Sequence, residues 1–372
     1  MNPLNKLIYI FAVALCSCAT TKPVQPTIKT STGRDIKVAE FEQFVEQKMQ
    51  QHDIPGLSIA IITDDELTYS KNFGVKNSLT KEPVAPDTLF EAASVSKPLF
   101  GFFVLQQAEK GVINLDQPIA EYYQDDEIDT QDPNHKLLTA RMILNHSSGF
   151  VNWREKSEDN NKKDKLRFTF KPGTQYGYSG EAYQYLKRAL AYQLSLSDIE
   201  LDQYFRNENS SYFDTSDMAF TWKEEYAKRK AYSHRNGEPT DNSSQGPADW
   251  FGSAGSLHTD AKSYAQFLLY LMQHQNHSQE QNQNLAQQSL ALQNDLPKVP
   301  NGNYRSLLFP YWEVDGEIRF AHSGNNGDTR AYCHFYQDKP FGIVMFSNTD
   351  KFFASQFAKQ ILGYLDEPYP YH

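Results

Sequence analysis

The sequence predicts a mixed α/β fold of the α+β kind, in which a mostly antiparallel sheet built from N- and C-terminal strands is flanked by helices and interrupted by a helical insertion. Three observations predict it. Short runs rich in β-branched and aromatic residues fall within residues 55–76 and again within 305–348. Apolar residues at helical spacing occupy much of the stretch between, about residues 100–300. A chain of 372 residues, 39% hydrophobic and 13% aromatic, can bury roughly three quarters of its unfolded surface, enough for a sizeable core.

Taken in order, Val38 to Gln51 carries apolar residues at Val38, Phe41, Phe44, Val45 and Met49, the spacing of an amphipathic helix. Leu57 to Ile62 and Leu67 to Val75 are strand-like and joined by Thr63-Asp64-Asp65-Glu66, a plausible hairpin. Leu99 to Lys110, Ala140 to Leu144, Ala182 to Leu194 and Ala261 to Met272 look helical, with Gly111 stopping the first. His274 to Gln288 is so rich in Gln and Asn that it reads as a flexible surface connection or an exposed helix end. Ile318 to His322, Ala331 to Tyr336 and Phe341 to Phe346 are three more strands, and Phe352 to Leu365 reads as a closing helix. The folded domain is thereby assigned to residues 36–366.

A formal charge of −10 and a pI near 5.5 argue against a nucleic-acid partner, whose phosphates need Lys and Arg to neutralise them. The Asn161-Lys162-Lys163-Asp164-Lys165 cluster is interrupted by acid and reads as a solvated loop. At the N-terminus, Lys6 and the apolar run Leu7 to Leu15 precede Leu15-Cys16-Ser17-Cys18, which resembles a bacterial lipobox. The resemblance implies a lipoprotein signal peptide over residues 1–17, a lipid on Cys18, and an exported protein anchored to a membrane, facing the periplasm or cell surface, with the outer membrane favoured. An ordinary signal peptide cut nearby is the alternative. The apolar run is too short to span a bilayer. Residues 18–35, rich in Thr, Pro and Lys, then read as a tether. With Cys16 and Cys18 set aside, Cys333 is the one cysteine left, so no internal disulfide is expected.

A serine hydroxyl needs a nearby base, and donors aimed at the oxyanion that forms after attack. Ser94-Val95-Ser96-Lys97 supplies nucleophile and base three residues apart, on one face of a helix. Pro98 is tolerated only in a first turn, so the helix should begin at or just before Ser94, with its regular body from Pro98 to Lys110. The same spacing recurs at Ser78-Leu79-Thr80-Lys81, but that copy lies in a polar turn ahead of Pro83 and Pro86 with no apolar helix behind it. The histidines offer no H-E-x-x-H pattern, and His274-x-x-His277 lies in the Gln-rich stretch, so neither a metal nor any other cofactor is expected. His146, beside Ser147 and Ser148, reads as part of a turn rather than of a catalytic pair.

Phe90-Glu91-Ala92-Ala93-Ser94-Val95-Ser96-Lys97 resembles the nucleophile segment of the serine β-lactamase-like superfamily: class C β-lactamases, penicillin-binding proteins and related esterases. Pro172 to Gly180 is similar to that family's tyrosine motif, and His322-Ser323-Gly324 to its K-T-G or H-x-G strand motif, in the family's order. Leu144 to Gly149 and Gly252 to Leu257 are supporting likenesses. The resemblance implies a β-lactamase/transpeptidase-like fold and Tyr178 as base or proton shuttle, its phenolate favoured by the Lys97 ammonium. It further implies an oxyanion hole from the backbone N–H groups of Ser94 and Asn325, with substrate lying along His322, Ser323 and Gly324.

Two departures shape the expected activity. Gly180 stands where the family carries an asparagine, whose amide in β-lactamases helps hold the drug's acylamino group. His322 replaces the lysine of K-T-G and would be mostly neutral at pH 7; Arg330 is the residue singled out to restore positive charge. The resemblance therefore implies an acyl-enzyme hydrolase of ester or amide bonds, esterase- or D-amino-acid-peptidase-like, acting on a small ester, peptide or lactam. A true β-lactamase, or a tethered cell-wall- or lactam-binding module without turnover, are the alternatives. The sequence leaves the oligomeric state open.

Overall fold

The computed structural model describes residues 26–155, 164–240, 249–275, 284–293 and 304–369. A ribbon of β1 (Thr27–Lys29) and β2 (Asp35–Lys37) leads into α1 (Val38–Gln51) and the hairpin β3 (Gly56–Thr63) and β4 (Glu66–Gly74). After β5 (Phe90–Glu91) and a 3-10 turn at Ala93–Val95 comes α2 (Ser96–Glu109). The middle of the chain contributes α3 (Ala140–Leu144), α4 (Gly180–Leu194), α5 (Asp198–Asn209), the short strands β6 (His234–Arg235), β7 (Glu238–Pro239) and β8 (His258–Thr259), then α6 (Ala261–His274) and α7 (Leu285–Leu290). The chain closes with β9 (Tyr304–Arg305), β10 (Pro310–Val314), β11 (Glu317–Asn325), β12 (Arg330–Tyr336), β13 (Phe341–Ser347), α8 (Lys351–Ala354) and α9 (Phe357–Tyr364).

Among the described residues, seven strands form the main sheet in the order β4-β3-β13-β12-β11-β10-β9, with every neighbouring pair antiparallel. The expected union of the two chain ends occurs at β13 and β3. Period-two alternation then sorts side chains to the two faces. Leu57, Ile59 and Ile61 join the core against α1 and α9, whereas Ala60 and Ile62 join the larger core that contains α2, α4 and α6. Helix α2 is buried at every residue from Ser96 to Gln107, as an all-round apolar helix must be. It is the central post on which the site is built.

Helix starts follow local chemistry. Thr139, Ser179 and Asp260 each accept a backbone N–H from the first turn of the helix they precede. Ser197 and Glu200 form a capping box for α5, a helix absent from the sequence reading although Ser-x-x-Glu marks it.

Three expectations need correction. The stretch read as a tether over residues 18–35 is folded from Thr27 onward: Ile28 and Ile36 are buried, Ser31 N–H donates to Leu365 O at 3.1 Å and Arg34 pairs with Asp366 at 2.9 Å. Its polar composition hid Ile28, which pairs with Ile36 just beyond it, each between exposed neighbours. The closing helix is two, because Gln356 adopts a left-handed φ of 68° between α8 and α9. Part of His274 to Gln288 is the capped helix α7, begun by an Asn284–Gln287 capping box. Cys18 and the segment resembling a signal peptide lie outside the described residues.

Candidate active site

The nucleophile sits on a sharp bend. Ala93 has a left-handed φ of 48°, an unfavourable conformation for a residue with a Cβ, and it turns the chain from β5 into the Ala93–Val95 turn and α2. Pro98 falls in the first turn of α2, where its missing N–H costs little. Lys97, one turn beyond Ser94, donates to Ala254 O at 2.7 Å and to Ser94 Oγ at 3.3 Å. Burial, helped by the Arg305 charge, pushes the Lys97 ammonium down to about 7.

Tyr178 closes the other side. The Lys97 Nζ lies 4.7 Å from its ring centroid, so the ammonium addresses the ring face. Burial pushes the Tyr178 hydroxyl up to about 12, against smaller lowering effects of a hydrogen bond with Ser94 and of Arg305. The expected phenolate is therefore replaced by a phenol. His146 supports this ring, stacked at 4.5 Å and 27°. Its Nδ1 accepts Ser179 N–H at 3.3 Å, and burial holds the imidazole neutral, well below its usual range. Its sequence neighbour Ser147 donates instead to Asn145 Oδ1 at 2.7 Å, so His146 and Ser147 form no catalytic pair.

Strand β11 brings in the third segment. A Cβ on Gly324 would lie 2.6 Å from Ala92 O and 3.0 Å from the Ala93 Cβ, so only glycine lets this strand approach the nucleophile turn so closely. His322 Nδ1–H donates to the Ser323 carbonyl at 2.8 Å, and burial together with Lys97 and Arg305 pushes the ring down to about 3. It is neutral at every working pH. Arg330 is spent locally, its Nη1 donating to Gly327 O and Thr329 O at 2.6 and 2.8 Å.

Ser94, Lys97, Tyr178, His322, Ser323 and Asn325 line one pocket of about 400 Å³, together with Asn152, Trp153, Tyr176, Trp312 and Arg305; Arg330 is outside it. Arg305, which sequence reasoning missed, is 4% exposed, and its Nε and Nη2 have no hydrogen-bond partner among the described residues. A buried cation with unsatisfied donors is costly unless something anionic completes it. It belongs to none of the motifs read in the sequence, so no pattern announced it.

A second missed group lies behind the pocket. Asn326 Nδ2 donates to Glu91 Oε2 at 2.9 Å and to Gly255 O at 3.1 Å, while Glu91 pairs with Lys230 at 2.6 Å, both side chains 1% exposed. One amide thus ties together the residue after Asn325, the strand before Ser94, and the neighbour of the carbonyl that holds Lys97. The other Ser-x-x-K copy is elsewhere: Ser78 Oγ donates to Gly237 O at 2.9 Å, in a turn where Lys81 has a φ of 57°.

Comparison with known proteins gives consistent relations. The family model described as Beta-lactamase matches residues 41–362. Among curated proteins, Esterase EstB of Burkholderia gladioli is 26% identical over 31% of this chain and 29% of its own length. A beta-lactamase of Pseudomonas fluorescens is 40% identical over 21% of this chain and 22% of its own. The matched segments therefore span less than a third of these relatives. Among solved structures, the octameric penicillin-binding protein homologue from Pyrococcus abyssi superposes with a TM-score of 0.71 at 21% identity, covering 90% of this chain and 78% of that one. D-alanine carboxypeptidase AmpC from Burkholderia cenocepacia gives 0.68 at 18% identity, covering 88% and 100%. Both share the sheet flanked by helices.

Proposed function

Because the chain belongs to the beta-lactamase family, we propose that it is a serine hydrolase that forms an acyl-enzyme on Ser94 and cleaves an ester or amide bond, as esterases and D-amino-acid peptidases do. The observation that carries this reading is Lys97 Nζ, poised near neutrality, 3.3 Å from Ser94 Oγ in a pocket shared with a Tyr178 phenol. Neutral Lys97 takes the Ser94 proton as Oγ bonds to the carbonyl carbon. The N–H groups of Ser94 and Asn325 receive the oxyanion. As the bond to the leaving group breaks, Tyr178 gives that group its proton and is recharged from the Lys97 ammonium. Water then repeats the sequence on the acyl-enzyme.

Gly180 and a neutral His322 favour ester or D-peptide over lactam substrates, since neither supplies the amide or the cation that lactam recognition uses in relatives. Arg305, a cation in the pocket lining, supports a substrate bearing a carboxylate. Fluorophosphonate labelling with mass mapping tests the mechanism, alongside turnover of short-chain esters, D-Ala-D-Ala peptides and a chromogenic cephalosporin. Labelling on Ser94, and turnover lost on the order of 10³-fold or more in Ser94→Ala, are expected. An unlabelled Ser94 in folded protein overturns it; a long-lived adduct without turnover identifies a binding module instead.

For the N-terminus we propose export as a lipoprotein anchored through Cys18, preferentially in the outer membrane. Lys6, the Leu7 to Leu15 run and the lipobox-like Leu15 to Cys18 support it. Fatty-acid labelling that persists in Cys18→Ala would sink this assignment.

A further inference from the structure

Trp153 is 51% exposed, yet it stands on one of the most firmly pinned loops near the pocket. Ser179 Oγ donates to Val151 O at 2.7 Å, and Gly180 N–H and Glu181 N–H reach Asn152 O at 3.1 and 3.0 Å. Asn152 Oδ1 also accepts from Gly180 N–H at 2.9 Å. On the other side, Arg154 pairs with Glu181 at 2.9 Å, their side chains 5% and 2% exposed. The residues before and after Trp153 are thus bolted to the N-terminal turn of α4 while the indole itself is left at the pocket rim. A fixed backbone that holds an aromatic side chain at the rim of the pocket keeps that ring in place for contact with a ligand.

The ring also fills a definite place. A Cβ on Gly180 would lie 2.4 Å from Trp153 Cη2 and Cζ2, so the volume that a side chain at position 180 would occupy belongs to the indole. Tyr176, Tyr178 and Trp312 line the same pocket. Where an asparagine would offer hydrogen bonds, this chain offers an aromatic face.

We propose that Trp153 is the wall for the acyl half of the substrate, and that this acyl group is apolar, aryl or branched alkyl, with no amide beside the scissile carbonyl. The inference rests on the acyl-enzyme reading of Ser94. An aryl acyl group gains by stacking on the indole and removing it from water, whereas an acylamino group set against the indole face would meet carbon there instead of a hydrogen-bond partner.

The test uses the full chain and p-nitrophenyl acetate, phenylacetate and N-acetylglycinate, with fluorophosphonate labelling of Ser94 run on every variant. The wild type should prefer phenylacetate to N-acetylglycinate by tenfold or more in kcat/KM. Trp153→Ala should reduce that preference at least fivefold, and Trp153→Phe should restore most of it. In Trp153→Ala/Gly180→Asn, the preference should move towards N-acetylglycinate. Equal use of the two acyl groups by the wild type, or a preference untouched by Trp153→Ala, overturns the proposal while Ser94 labelling leaves the mechanism standing. Labelling without turnover of any ester overturns it too. Failure of the wild type to label overturns the mechanism, and this inference with it.

Discussion

At the scale of residues, the site is governed by how burial divides protons between Lys97 and Tyr178. Desolvation disfavours whichever form is charged, so the same pocket lowers the lysine to about 7 and raises the tyrosine to about 12. With a neutral ester, kcat/KM should therefore rise with pH as Lys97 loses its proton through about 7, and then stay level, because Tyr178 keeps its proton far beyond the working range. Arg305→Ala removes a positive charge that helps hold Lys97 down. The rising limb should move to higher pH, and KM for a carboxylate-bearing substrate should increase about tenfold or more; a pH–rate series on both proteins checks this. An unmoved limb would show that Arg305 does not act on Lys97. Ser94, Lys97 and Tyr178 were legible in the sequence because short spacing and ordered motifs place them. Arg305 was not, since a lone arginine after polar turn residues looks like any surface arginine until the sheet edge folds it inward. Arg330, the first residue of β12 and paired with Asn325, drew attention by position and proves to hold the turn that precedes it.

At the scale of elements, three separate segments must meet within a few ångströms, and Asn326 is the joint among them. Its amide binds Glu91 ahead of the nucleophile and Gly255 beside the Lys97 acceptor, so it positions the Asn325 amide relative to Ser94 without touching substrate. Asn326→Ala should lower kcat by about 10- to 100-fold with KM changed less than about threefold, the mark of a loss confined to the transition state. Asn326→Asp should be worse, because it sets a second carboxylate against buried Glu91; equal losses in kcat and thermal stability for both variants would point to mere unfolding. Elements such as α1, α3 and the strands β3, β12 and β13 were readable almost to the residue, whereas β11 was read only to His322 and runs on to Asn325. The β1–β2 ribbon was not, because two short strands with one buried isoleucine each leave no periodicity to detect. Helix α5 was missed for a different reason: its Ser197–Glu200 signal was present, but the helix carries few apolar residues.

At the scale of the whole molecule, the C-terminal tail locks the back of the sheet. Glu367 accepts from Tyr336 at 2.7 Å and lies 2.9 Å from His334 Nε2 and 3.2 Å from Lys339 Nζ. These partners outweigh the cost of its burial and pull its carboxyl down to about 2. A depressed carboxylate stabilises the fold above its unfolded pKa of about 4.3 and loses that contribution as pH falls towards 2. Glu367→Gln should therefore cost on the order of 2 kcal/mol at pH 7, the worth of a hydrogen bond to a charged group, and the gap from wild type should narrow below about pH 4. Urea melts at two pH values check it.

The sheet also dictates an order of events for a growing chain. Strand β13 is hydrogen-bonded between β12 and β3, and Ser347 Oγ donates to Gly56 O across 291 residues of sequence. The first hairpin therefore waits, one edge unpaired, until β13 has been synthesised, and closing so long a loop is slow. Unpaired edges invite pairing with other chains, so premature stop codons anywhere before β13 should give aggregates rather than smaller folded proteins. Changes of length in the intervening helical segment leave that final closure intact, which makes the middle of this chain the part freest to vary the pocket rim.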